Sequence, residues 1–183
     1  MTTIITITGD LGSGKTTVSN LLTERLNYNY IATGKIQREI ADKYNMSTLT
    51  LNKFAETHPE IDIEIDSTFK SLNNSSNLIV DSRMAWFFIP KSFKVFLKSD
   101  LEVSIYRISC DGERLNENYT SIEEATNHII ARKESENKRY QELYRVDCAD
   151  LNHYDLIIDT SFTTPEKVAD LIIFKYNQWL KNN

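Results

Sequence analysis

Residues 9–16 read Gly9-Asp10-Leu11-Gly12-Ser13-Gly14-Lys15-Thr16, which satisfies G-x-x-x-x-G-K-[ST] at every fixed position. The chemistry open to such a run is the binding of a polyphosphate. Gly9, Gly12 and Gly14 let the main chain approach an anion closely, so that successive N–H groups turn toward phosphate oxygens. Lys15 brings a point charge to the β and γ phosphates, and the Thr16 hydroxyl is of the kind that ligates Mg²⁺. Asp10, Leu11, Ser13 and Thr17 complete the stretch expected around a nucleoside triphosphate.

Other groups could work with this loop. Asp81 ends the apolar run Leu78-Ile79-Val80, and the carboxyl end of a core strand is where a phosphate-loop protein places a second magnesium-orienting group. The alternative is that Asp81 only caps the turn or pairs with Arg83. Asp62 and Asp66 lie four apart, hence on one helix face. Their spacing is read as an exposed acidic face, with a pair that holds a base or ribose as the alternative. Arg132, Glu136 and Arg139, at spacings of four and three, set two guanidinium groups about one carboxylate. That set suits two phosphates during transfer; the other reading is a solvated, salt-bridged face.

These groups need elements to hold them. Thr3 to Thr8 reads as a buried strand before the loop, and Val18, Leu21, Leu22 and Leu26 mark a helix after it. A strand through Tyr28–Ile31 leads to the turn Ala32-Thr33-Gly34, where Thr33 is expected to cap a helix carrying Arg38. Two short helices follow, capped by Ser47 and opened by Pro59. Further strands are expected at 77–81, 93–97 and 154–159, and a helix at about 101–108. Residues 110–120 read as a polar, mobile connection. A long helix capped by Ser121 with Glu124 is expected to reach Tyr140 or beyond. A last helix from Thr164-Pro165-Glu166 through Leu180 is expected to pack a stripe of Leu171 and Trp179.

Alternating strands and helices predict an α/β fold with a five-stranded parallel sheet in a single domain. The phosphate loop, Thr33-Gly34 and Asp81–Arg83 should then share one crevice beyond the carboxyl ends of the strands. The chain of 183 residues carries a net charge of −5, which argues against a nucleic-acid partner. Cys110 and Cys148 stand in no metal-ligand spacing, and free thiols are expected. No signal sequence or membrane span is read, so the expected location is cytoplasmic.

The order of Gly9–Thr16, Thr33-Gly34 with Arg38, Pro59-Glu60-Ile61-Asp62, Asp81-Ser82-Arg83, Arg132-x-x-Ser135-Glu136-x-x-Arg139-Tyr140 and Tyr154–Ser161 resembles the cytidylate kinases over nearly the whole chain, the short archaeal-type form above all. The resemblance implies a P-loop kinase that moves phosphate from ATP, with Mg²⁺, to the nucleoside monophosphate CMP or dCMP. Thr33, Gly34, Arg38 and Arg83 would receive the monophosphate, with Asp62, Asp81 and Glu136 also toward the substrate. Lys15, Arg132 and Arg139 would be catalytic. Residues of about 33–75 would form an acceptor-binding helical insert, and those of about 110–145 a lid. Two departures stand out: Ser82 where the family has glycine, and Met84-Ala85-Trp86-Phe87-Phe88 where it has a smaller, glycine-containing run. Ser82 is expected to crowd the acceptor pocket, and the aromatic run to pack. Two alternatives to the cytidylate reading remain: a kinase for another monophosphate or metabolite, and a nucleotide-binding regulatory protein.

Overall fold

A computed structural model describes residues 3–110 and 122–182. Strand β1 (Ile4–Gly9) runs through the middle of the sheet with all six residues buried. Its isoleucines and threonines suit a strand covered on both faces. Across the sheet the order is β2 (Asn29–Ala32), β3 (Leu78–Asp81), β1, β4 (Phe93–Lys98) and β5 (Leu156–Asp159), and every pair is parallel. The five strands and their shared direction are those expected. Register sets both Ala32 and Ile7 beside Asp81. The loops leaving β1, β2 and β3 therefore emerge together at one edge.

Alternation along the strands feeds two cores. Ile4, Leu78 and Val80 face one side with Ile61, Ile65 and Phe69 of α4 (Pro59–Ser71). Ile5, Ile7 and Ile79 face the other, against Val18 and Leu22 of α1 (Lys15–Leu26) and Ile172 and Tyr176 of α8 (Pro165–Asn182). On the first side also lie α2 (Thr33–Lys43), α3 (Thr48–Ala55) and α5 (Ala85–Phe88), while α6 (Leu101–Ser109) precedes the long α7 (Ile122–Tyr144).

Several local expectations hold and several are corrected. Ser47 caps α3, its hydroxyl accepting from the Thr50 amide at 3.1 Å, and Pro59 opens α4. Thr33 does not cap α2. It is already helical, Ala32 is the cap residue, and the Thr33 hydroxyl donates to the Asp81 carbonyl at 3.0 Å. Asp62 and Asp66 are not an exposed face: both are buried, because α7 lies over them with basic and phenolic partners. Trp179 packs on the core as expected, but Leu171 is exposed. The expectations for 111–121, including the Ser121 cap, fall outside the described residues. Both cysteines are free, Cys148 buried and Cys110 exposed. Among the described residues no helix is long and apolar enough to cross a membrane.

Candidate active site

The phosphate loop is built by close approach. A Cβ on Gly9 would lie 2.2 Å from the Leu97 carbonyl oxygen, and one on Gly12, at φ 77°, 2.6 Å from that of Ser104. Only glycine fits either place. Gly14, at φ 82°, turns the chain into α1 without a side-chain cap, so the first-turn amides keep their donors for an anion. Thr16 and Thr17 lie exposed in that turn. Ser13 is buried, and its hydroxyl is unpartnered among the described residues. Leu11 packs against Ile105, Ile108 and Ile129, fastening the loop to α6 and α7. Lys15 folds back, its ammonium donating to the carbonyls of Gly9 at 3.0 Å and Asp10 at 2.6 Å. The loop thus has the glycines, unspent amides and cation that fit a triphosphate.

The opposite wall comes from the ends of β2 and β3. Asp81 accepts from the Tyr30 hydroxyl at 3.3 Å through Oδ2 and from Thr33 through its carbonyl. Arg38 is exposed, and its guanidinium lies beside the Cα of Gly34. Ser82 is buried, and its hydroxyl accepts from the Met84 amide at 3.2 Å. Trp86 and Phe88 pack as expected, while Phe87 is partly exposed. The Trp86 indole donates to the Arg83 carbonyl at 2.9 Å and stacks on His153. That ring therefore braces the strand end that carries Arg83.

Helix α7 crosses this edge and supplies charge. Glu136 pairs with Arg83, both largely buried. Arg139 reaches α4 instead, its Nε donating to Asp62 Oδ2 at 2.8 Å, with both side chains buried. Burial works against the Arg139 charge, and the Asp62 carboxylate more than offsets it, so the guanidinium stays protonated. Arg139 also donates to Ser135 Oγ at 3.0 Å, and Ser135 to Glu56 at 2.7 Å. Arg132 lies on α7, but its side chain is outside the described residues. One turn beyond Asp62, burial pushes the Asp66 carboxyl up to about 7; Tyr144 partly opposes this and the charge on Asp62 adds to it. Asp66 Oδ2 is unpartnered among the described residues.

Between these walls lies a cavity of about 170 Å³ lined by Asp10, Arg83, Lys98, Lys133, Asn137 and Cys148, among others. Lys133 ties α7 to the loop through Asp10 at 2.9 Å. Asp10 of the loop, Arg83 and Lys133 thus share one cavity, with Glu136 paired to Arg83 and Arg139 to Asp62. Sequence reasoning missed Arg107, which donates to the carbonyls of Gly12 at 3.4 Å and Thr160 at 2.7 Å and so clamps the loop to the segment after β5. It also missed Tyr30 and Lys133. None carries a local spacing signal, because each acts on residues far away in the chain.

Residues 4–162 match the model of the cytidylate kinase-like family. The chain belongs to that family. A cytidylate kinase from Thermoplasma volcanium is 37% identical over 179 residues, covering 95% of this chain and 91% of its own. One from Sulfolobus acidocaldarius is 36% identical over 172 residues, covering 92% and 91%. A solved shikimate kinase from Bacteroides thetaiotaomicron aligns with a TM-score of 0.64 at 15% identity, covering 94% of this chain and 97% of that one, and shows the shared fold. In this cytidylate kinase-like chain the phosphate loop and the Arg83 wall face one another beneath α7.

Proposed function

We propose that the chain phosphorylates CMP or dCMP with ATP, giving CDP or dCDP and ADP. The observation that carries this reading is the meeting of two kinds of anion site at one edge. The phosphate loop with Lys15 suits a triphosphate, and Arg83 with Arg139 suits a second phosphate. The relatives named cytidylate kinase support the choice of acceptor.

An oxygen of the acceptor phosphate attacks the γ phosphorus, the bond from that phosphorus to the β–γ bridging oxygen breaks, and ADP leaves with the electron pair. The attacking oxygen is already anionic, so no general base is needed. What the site supplies is position and positive charge. Lys15 leaves the loop carbonyls for the β and γ phosphates. Arg83 and Arg139 exchange their carboxylate partners for phosphate oxygens, and Glu136 and Asp62 are thereby released toward the sugar. Thr33, Gly34 and Arg38 border the acceptor, with Arg132 a further clamp. Thr16 and Asp81 would hold Mg²⁺, which when bound neutralises the phosphate oxygens. Residues 33–75 form the acceptor-binding insert and α7 the backbone of the lid, which keeps water from the γ phosphate.

The test is ADP release with ATP and magnesium while CMP, dCMP, UMP, AMP, GMP and dTMP are offered separately. Stimulation by the cytidine nucleotides above the rest is expected. Equal rates across the panel, including no acceptor, would defeat the reading.

A further inference from the structure

Tyr30 belongs to no part of the phosphate loop or the arginine wall, yet it sits between the two residues assigned to magnesium. Its ring lies on β2 and packs against the core that Val18 and Leu22 of α1 help to form. Its hydroxyl donates to Asp81 Oδ2 at 3.3 Å and also faces the hydroxyls of Thr16 and Ser19 in α1. Thr33 holds the same aspartate by its carbonyl. The main chain of Asp81 is thus fixed by one β2-end residue and its carboxylate by another. Register explains the reach: Ala32 lies beside Asp81, and Tyr30 is two residues earlier, on the same face as Ala32.

We propose that Tyr30 is a positioning residue for the metal site, its hydroxyl tying the carboxylate of Asp81 to the head of α1, where Thr16 lies. The inference rests on the reading that Thr16 and Asp81 hold Mg²⁺. Groups that orient metal ligands from behind typically change affinity by about 10–100-fold when removed. Tyr30→Phe keeps the ring and its packing and deletes only the hydroxyl.

The experiment measures Mn²⁺ binding, by water-proton relaxation, to the protein with a non-hydrolysable ATP analogue. The magnesium activation curve and the KM for CMP are measured alongside. For Tyr30→Phe the expected result is a fall in Mn²⁺ affinity of at least about tenfold. The magnesium curve should shift to match, with KM for CMP within about twofold and thermal stability near that of the parent. Mn²⁺ affinity equal to the parent's would overturn the proposal, whether or not stability fell. Thr16→Ala and Asp81→Asn separate the two levels. If they weaken Mn²⁺ binding and Tyr30→Phe does not, Tyr30 has no such role. If none of the three does, the metal assignment itself is wrong.

Discussion

Replacing Asp66 with asparagine should stabilise the protein at neutral and higher pH and do much less in acid. The carboxyl is buried beneath α7, with Tyr144 as a hydrogen-bond partner, one oxygen unpartnered among the described residues, and Asp62 close by. Lys70 and Arg139 oppose the effect without cancelling it, and the group is pushed from an ordinary 3.8 up to about 7. Because the folded-state value is the higher one, the native protein retains a proton that the unfolded chain releases. Stability from this site is therefore full below the unfolded value and lost as pH rises to about 7. At about 1.36 kcal/mol per pH unit the whole loss amounts to at most about 4 kcal/mol, and about 2.3 kcal/mol of it falls between about pH 5 and about pH 7. Asparagine has nearly the same shape and does not titrate. Urea unfolding of both proteins at intervals from about pH 5 to about pH 8.5 gives the difference directly. It should grow in favour of the variant through about pH 7 and level off about one pH unit higher. A difference independent of pH would show that Asp66 titrates as an exposed carboxylate and that α7 does not cover it.

Other consequences follow from single contacts. Arg139→Ala leaves Asp62 buried and uncompensated, so a loss of about 3–5 kcal/mol is expected in denaturant unfolding; pairing it with Asp62→Leu should restore much of that loss. Lys15→Ala should abolish turnover while lowering thermal stability little, since the ammonium donates to two carbonyls of its own loop at a part-buried position. Gly12→Ala meets the Ser104 carbonyl at 2.6 Å in a left-handed conformation, so it should lose nucleotide binding by calorimetry and melt at a lower temperature. Ser82→Gly should cost about 1 kcal/mol through the lost bond to the Met84 amide, with KM for the acceptor within about twofold. A large improvement in KM would mean that the Ser82 side chain does obstruct the pocket.

What could be read from sequence was what chemistry writes locally. The phosphate loop demands particular residue types at fixed offsets because backbone conformation and close approach demand them, as Gly9 and Gly12 show. The five strands were legible as short apolar runs between turn residues. Pairing between distant segments was not legible. Spacing put Arg132, Glu136 and Arg139 on one face of α7, but it could not show that Glu136 turns to Arg83 on the β3 edge and Arg139 to Asp62, 77 residues away. For the same reason Asp62 and Asp66 read as a solvated face: acids are seldom buried unless paired, and their partners lie on another helix. Thr33 carried a capping signal and spends its hydroxyl on Asp81 instead, because β2 and β3 end side by side. Arg107 had no signal at all, since its carbonyl partners at Gly12 and Thr160 come from two other loops.

The central claim is transfer between two nucleotides, and product analysis tests it most directly. Equal amounts of ATP and CMP, with magnesium and the protein, should be followed by ³¹P magnetic resonance until the signals stop changing. The account predicts that the β-phosphate resonance of CDP grows in step with that of ADP, with little inorganic phosphate. ADP and inorganic phosphate appearing together, while CMP persists unchanged, would contradict it.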